Sequence, residues 1–302
     1  MNILILGSTG QVGFELCRSL APLGTLFAPD RRQLDLQDKA RVDAYLERIQ
    51  PDLIVNGAAY TAVDKAEEEA DIAMRINAEL PAQLAHHACR QGIRLVHYSS
   101  DYVYQGSGQS PQPESTPEAP LNQYGKSKLA GDQAIRDSGC RHLIFRTSWV
   151  YSARGSNFMK TMLKLGQQRE QLSVVADQTG APTPARLIAA VTALSLHSQS
   201  TLPDGTYHLT TRGETSWHGF ARAIFALASQ AKLPLAITPD NVHAIQTADY
   251  PTAARRPLNS RLSLARLEQG LTIQLPDWQS QLELTLQEYA LSMNGMYRPL
   301  DN

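Results

Sequence analysis

The chain is poor in cysteine. Cys17, Cys89 and Cys140 are its three cysteines in 302 residues. An odd number at wide spacing supports neither a disulfide framework nor a zinc pattern, and it fits reduced thiols in a cytoplasmic protein. A surplus of charge of one sign is also lacking. The 28 Lys and Arg against 29 Asp and Glu give a formal charge of −1. No block of about five or six like charges occurs, so no nucleic-acid or membrane partner is expected. Glu67, Glu68 and Glu69 read as a solvated helix face. Long hydrophobic runs are missing as well. No segment reaches the roughly 18 apolar residues of a membrane span. The apolar start of the chain has no basic residues before it and stops at Gly7, too short for a signal peptide. The eight histidines are scattered, and His86 and His87 fit a helix surface.

An ordinary composition is what remains, 42% hydrophobic and 19% charged. That suffices for a sizeable core, in one large α/β domain or two smaller ones. Residues 2–6 read as a strand, apolar without a break from Ile3 to Leu6, the signature of a buried parallel strand. Gly7, Gly10 and Gly13 follow, then a helical run to about residue 23. Strand, G-x-x-G-x-x-G and helix is the arrangement that lets a pyrophosphate approach backbone N–H groups at a helix N-terminus. A short strand over 25–28 runs toward Asp30. Its carboxylate lies at the distance suited to a ribose 2′-OH, although it also fits a turn. Arg31 and Arg32 beside it suit a 2′-phosphate, so NADH and NADPH both remain open. Asp35 and Leu36 fall where an adenine would lie.

The pattern then repeats. A helix over 38–50, capped by Asp38 and ended by Pro51, leads to a strand over 52–56 and to Gly57-Ala58-Ala59-Tyr60-Thr61. These small residues sit at a strand's carboxyl end, where open α/β sheets bind ligands. A helical stretch over 63–91, broken at Pro81, precedes a strand over 94–98 that ends at Ser99-Ser100-Asp101. Residues 105–122 form a loop rich in Gly, Ser and Pro. A helix over 124–138 and a strand over 142–146 follow. This is a Rossmann-type, doubly wound parallel sheet with right-handed crossovers. The division expected is a dinucleotide-binding domain over 1–151 and a smaller α/β substrate domain over 152–302, with some segments returning to the first. In the second half the pattern gives helices over 157–168, 185–197, 216–231 (capped by Ser216) and 276–293, and strands over 172–175 and 207–210.

Tyr124 and Lys128 stand four apart on the helix that follows the long loop, and so share a face. A free phenol titrates near 10, and a fixed ammonium beside it would make it a better acid. Ser100 at the end of the fourth strand could bond the carbonyl oxygen that such an acid serves.

In this order the glycine loop, Ser100 and Tyr124-x-x-x-Lys128 resemble the extended short-chain dehydrogenase/reductases. Segments 61–67 (TAVDKAE), 97–103 (HYSSDYV), 124–131 (YGKSKLAG) and 145–151 (FRTSWVY) narrow the likeness. So do 157–162 (NFMKTM), 177–183 (DQTGAPT) and 256–262 (RPLNSRL). Together they are similar to the dTDP-4-dehydrorhamnose reductases over nearly the whole chain. The resemblance implies NADPH or NADH as cofactor. It also implies reduction of the C4 keto group of dTDP-4-dehydro-L-rhamnose to dTDP-L-rhamnose, the last step in making that sugar donor for polysaccharides. Tyr124 would be the proton donor and Lys128 its electrostatic partner and ribose contact. Ser100 would bond the C4 oxygen. Gln11, Val12, Asp30, Asp35, Leu36, Ala59, Tyr60, Thr61 and Tyr98 match cofactor positions, with Gly7, Gly10 and Gly13 forming the loop. Ser100, Asp101 and Trp149 match sugar-nucleotide positions. Arg256 is added for the diphosphate from its charge and place.

Two departures stand out. Ser100 occupies a position where the family often has Thr, and the hydroxyl is kept. Some bacterial members form a dimer bridged by magnesium through three glutamates per subunit. Glu15 and Glu288 match two of these, but Arg186 stands at the third, so a homodimer bridged in that way, and a metal site, are not expected. Among rivals, a 4,6-dehydratase needs Asp-Glu after the fourth strand, and here Tyr102 follows Asp101. A 4-epimerase shares the first-half motifs, another nucleotide-sugar 4-reductase stays open as an alternative, and the intact Ser100, Tyr124 and Lys128 set weighs against a non-catalytic NADP-holding subunit.

Overall fold

β1 (Asn2–Leu6) sends Ile3 and Ile5 to one face of a sheet and Leu4 and Leu6 to the other, all fully buried. Such a strand requires a layer on each side. The computed structural model, which describes residues 1–197 and 202–293, supplies both layers. α1 (Gln11–Leu20) follows, then β2 (Thr25–Phe27), α2 (Lys39–Ile49), β3 (Leu53–Asn56), α3 (Ala70–Met74), α4 (Leu80–Gln91), β4 (Arg94–Ser100), α5 (Gln123–Asp137) and β5 (Arg141–Thr147). Next come β6 (Val150–Tyr151), α6 (Phe158–Gln168), β7 (Leu172–Val175), β8 (Thr179–Gly180), β9 (Thr183–Pro184), α7 (Ala185–Leu196) and β10 (Gly205–His208). β11 (Thr215–Ser216), α8 (Trp217–Gln230), β12 (Val242–Ile245), α9 (Ala265–Leu271) and α10 (Trp278–Met293) complete the order.

The central sheet is parallel throughout, in the order β10-β5-β4-β3-β1-β2. Leu16 and Leu20 of α1 and Ile188 and Val191 of α7 cover the face carrying Ile3, Ile5, Val55, Val96 and Phe145. Residues of α2, α4 and α5 cover the other, over Leu4, Leu6, Ile54, Leu95 and Ile144. The order of connection reverses between β1 and β3, so the ligand crevice of this doubly wound fold opens at their carboxyl ends. A second apolar cluster gathers Tyr151, Met159, Leu163, Val174, Phe220, Phe225, Trp278 and Leu282 from α6, β6, β7, α8 and α10. Although α7 and β10 lie beyond residue 151, they pack on the first unit.

Three local features differ from the sequence pattern. The break expected at Pro81 does not form. A π-helical turn, Arg75–Glu79, joins α3 directly to α4. Pro81 lies in the first turn of α4, where a missing N–H and a fixed φ are tolerated. Residues 63–69 form only a 3-10 turn, Lys65–Glu67, where a helix was expected. β10 starts at Gly205, not Tyr207, because its pairing with β5 runs from Leu143 to Arg146. Among the described residues no helix is long and apolar enough to cross a membrane.

Candidate active site

The glycine loop forms as the sequence implies. Gly7 has φ +75° and its carbonyl accepts from Gly10 N at 2.9 Å. At Gly13 an added Cβ would lie 2.0 Å from the Gly7 carbonyl oxygen. No side chain caps α1, so the helix N-terminus is available to an anion. The loop fits a dinucleotide: it is tight, bare of side chains at Gly7, Gly10 and Gly13, and placed at the sheet's switch point. Gly13→Ala is expected to displace the Gly7 carbonyl at a cost of about 1–3 kcal/mol. NADPH binding, titrated by nicotinamide fluorescence, should weaken by roughly 10- to 100-fold.

Around the loop, Ser8 Oγ reaches the carbonyls of Ala28 and Pro29 at 3.1 and 3.2 Å. Asp30 Oδ1 accepts from Arg32 N and Gln33 N at 2.8 and 2.9 Å. Part of this carboxylate therefore shapes the turn, while Arg31 and Arg32 stand exposed beside it. Asp35 Oδ1 likewise accepts from Gln37 N at 3.0 Å, and Leu36 packs on the core. Val12 packs on the opposite core. Gln11 Oε1 accepts from Asn157 Nδ2 at 2.8 Å, tying the glycine loop to the cap of α6. Ala59, Tyr60 and Thr61 follow β3 at the mouth. Asn77 grips both backbone polar groups of Tyr60, at 2.9 and 3.0 Å, and bonds Ser127 Oγ at 3.0 Å. That clamp between the mouth and α5 was not read from the sequence, since an asparagine inside a helical run gives no signal of its own.

Tyr124 lies in the first turn of α5, whose N-cap Asn122 accepts from Gly125 N at 2.7 Å. A Cβ at Gly125 would lie 2.3 Å from the carbonyl oxygen of Tyr102. Only glycine lets α5 come this close to the segment after β4, and this brings Tyr124 beside Ser100. The Tyr124 ring meets Tyr102 edge-on at 5.6 Å. Burial pushes the Tyr124 phenol up to about 12, and the nearby Ser100 hydroxyl moderates the rise. Ser100 Oγ donates to Asp101 Oδ1 at 3.0 Å and accepts from Tyr102 N at 3.2 Å.

Lys128 is placed differently from the simple expectation. It is fully buried, and its Nζ bonds the Tyr98 carbonyl at 2.6 Å and faces His97 Nε2 at 3.3 Å. Burial lowers it to about 8, with Asp132 opposing. The acidifying contact between Lys128 and the phenol is therefore not what sets Tyr124 in this arrangement; burial prevails. Tyr98 also turns its side chain away from the crevice, bonding Thr192 of α7 at 2.8 Å. It meets the site through its carbonyl.

On the substrate side, Asp101 is buried and raised to about 6 by loss of water, with Ser260 and Ser100 opposing. Its Oδ2 has no well-formed hydrogen bond among the described residues; Ser260 is near enough to moderate the rise without completing one. A carboxyl raised in the fold binds its proton more tightly there than in the unfolded chain. Its contribution to stability therefore falls as pH rises from 3.8 through about 6. Asp101→Asn is expected to stabilise the protein by about 1–3 kcal/mol at neutral pH. The gain, read by urea unfolding, should vanish below pH 3.8.

Trp149 adopts φ +49° and stacks on Trp217 with ring centroids 3.7 Å apart. Such a backbone is uncommon for a bulky residue and concentrates at functional sites. Arg256 forms a fork to Asp64 at 2.6 and 3.1 Å, so its charge is already matched within the protein. Asn259 binds the carbonyls of Ser107 and Ser110 at 3.2 and 2.9 Å, fastening the long loop to the 256–262 segment. Beneath that loop Arg146, 1% exposed, bonds Asp132 at 3.0 Å, Tyr104 at 2.7 Å and Glu118. Tyr104 in turn bonds His208 at 2.7 Å.

A family model described as the RmlD substrate binding domain matches residues 1–291. The chain is 47% identical over 294 residues to the dTDP-4-dehydrorhamnose reductase of Escherichia coli K12, covering 95% of this chain and 98% of that one. The chain belongs to the dTDP-4-dehydrorhamnose reductase family. The Bacillus anthracis dTDP-4-dehydrorhamnose reductase, solved in complex with NADP, superposes with a TM-score of 0.87 at 36% identity, covering 95% of this chain and 99% of that one. A UDP-glucose 4-epimerase of Thermus thermophilus shares the fold alone, with a TM-score of 0.76 at 18% identity over 96% of this chain and 99% of that one. Arg186 pairs with Glu288 at 3.6 Å. Glu15 is buried, and its carboxyl is raised chiefly by loss of water, with Arg18 opposing and Glu288 adding to the rise.

Proposed function

We propose that this protein reduces the C4 keto group of dTDP-4-dehydro-L-rhamnose, giving dTDP-L-rhamnose for polysaccharide synthesis, with NADPH or NADH as reductant. The observation that carries the reading is the meeting of Tyr124 and Ser100 at the carboxyl end of β4, in a sheet whose first strand ends in the glycine loop. The family to which the chain belongs supports it. Gly7, Gly10, Gln11, Val12 and Gly13 would hold the dinucleotide's phosphates. Asp30, Arg31, Arg32, Asp35 and Leu36 would surround its adenosine half, and Ala59, Tyr60 and Thr61 its path across the mouth. When bound, the nicotinamide supplies the hydride.

Charge then develops on the C4 oxygen. Tyr124 gives that oxygen its proton, and Ser100 bonds the same oxygen. A phenol near 12 keeps its proton until a developing alkoxide takes it, so Tyr124 is loaded at every working pH. Asp101 and Trp149 would border the sugar nucleotide. Arg256 shapes the rim through Asp64, within reach of a diphosphate only as a matched charge. Of the two units, the sheet unit would hold the dinucleotide and the smaller one the sugar nucleotide. Cytoplasmic placement rests on the three dispersed thiols. A homodimer, if formed, would not use a three-carboxylate metal bridge, given the charge of Arg186.

The test is NADPH oxidation with dTDP-4-dehydro-L-rhamnose, set beside a dTDP-4-keto hexose still in the D configuration. Turnover of the first and little of the second is expected. No oxidation with the first would favour a cofactor-holding subunit.

A further inference from the structure

Lys128 ends a line of three side chains, Asn56 on β3, His97 on β4 and Lys128 on α5, each at most 1% exposed. The direction of every hydrogen bond along the line can be fixed. The backbone N–H of Ala58 is a donor that cannot be turned, and it lies 3.2 Å from the Asn56 amide. The amide must present its oxygen there. Its nitrogen then faces His97 Nδ1 at 3.1 Å, so Nδ1 is an acceptor. Burial holds His97 well below the usual imidazole range, so the ring is neutral. A neutral imidazole with a bare Nδ1 carries its proton on Nε2. That N–H points at Lys128 Nζ, 3.3 Å away. An ammonium has no lone pair to receive it; an amine has one, and can still donate to the Tyr98 carbonyl at 2.6 Å.

We propose that His97 is a positioning residue that holds Lys128 as an uncharged amine against β4 in the cofactor-free enzyme, and that Lys128 takes up a proton from the solvent when the nicotinamide cofactor binds. The inference rests on the reductase reading, in which the family resemblance makes Lys128 the electrostatic partner of Tyr124 and a contact of the nicotinamide ribose. It deepens that reading by making the charge conditional on the cofactor. The groups facing Lys128 are few. Tyr124 and Asp132 lie one turn to either side on α5, and Asp132 is paired with Arg146 of β5. His97 and the Tyr98 carbonyl face it from β4, with Asn56 of β3 behind the imidazole. Burial lowers Lys128 to about 8 against the opposing charge of Asp132, and an N–H aimed at the amine lowers it further. A ligand that raises a depressed lysine must draw in a proton.

Two measurements without substrate test this. In cofactor-free protein carrying nitrogen-15 histidine, the His97 signal is assigned by its loss in His97→Gln. It should show the Nε2–H tautomer at about pH 8. An Nδ1–H tautomer overturns the proposal. Calorimetry of NADPH binding at about pH 8, in buffers of different ionisation heat, should show uptake of up to about one proton per site. Asn56→Asp keeps the Ala58 bond but forces a proton onto Nδ1, turning Nε2 into an acceptor for an ammonium. Uptake should then fall by about half or more. No uptake in the unaltered protein, or equal uptake in Asn56→Asp, also overturns it. Neither readout requires turnover, so failure here is distinct from failure of the reductase reading.

Discussion

Tyr124→Phe lowers the rate of NADPH oxidation by about 10²–10⁴-fold, the usual worth of a positioned general acid. The substitution removes one oxygen and keeps the ring. The edge-on contact with Tyr102 at 5.6 Å is retained, as is the Asn122 cap of α5. The melting temperature and NADPH affinity should therefore stay as they are. The loss should fall in kcat, because the proton is given as charge develops on the C4 oxygen and not on binding. Raising the pH should not rescue the variant. In the unaltered protein the phenol sits near 12, so its protonated form persists throughout a working range below that. A variant with unaltered kcat would remove Tyr124 from the chemistry.

Arg146→Ala costs about 3–5 kcal/mol of stability, the range for a buried ion pair left with one partner. Asp132, fully buried, loses the guanidinium 3.0 Å away, and Tyr104 loses a bond of 2.7 Å. Arg136 still holds Glu118 through two bonds of 2.9 Å. Urea unfolding reads the loss. Replacing both partners by apolar residues, as Arg146→Met with Asp132→Leu, should recover much of it, because the remaining cost is an unpaired buried charge. The network also has a pH signature. Burial alone would raise Glu118, but hydrogen bonds from Arg136 and Arg146 prevail and hold it below 4.5. A depressed carboxyl contributes stability above its unfolded value and loses it as pH falls through its folded one. The acid limb of stability below pH 4.5 should therefore be shallower in Arg146→Ala.

The parts of this molecule that repeat were legible in its sequence. Apolar runs such as residues 3–6 specify buried parallel strands because both of their faces must be apolar. Glycines at 7, 10 and 13 specify the loop because no other residue allows the backbone contact of Gly13 with Gly7. Asp38 and Ser216 were readable as caps, and both accept the expected backbone N–H. Polar groups that pair across long stretches of chain were not readable. Lys128 was expected beside the phenol, yet its nearest partners come from β4, 30 and 31 residues back. Asn77, Asn259 and the Arg146 network likewise act through partners set by the tertiary fold, and periodicity carries no record of them. Pro81 shows the opposite error. A breaker was read correctly as a constraint, but a π turn had already placed it where a helix begins.

The most direct test of the central claim is to follow deuterium from C4-deuterated NADPH during turnover of dTDP-4-dehydro-L-rhamnose. Deuterium is expected at C4 of dTDP-L-rhamnose, with about one nicotinamide oxidised per sugar. Deuterium found only in recovered cofactor, with a sugar changed in configuration and no net oxidation, would contradict it.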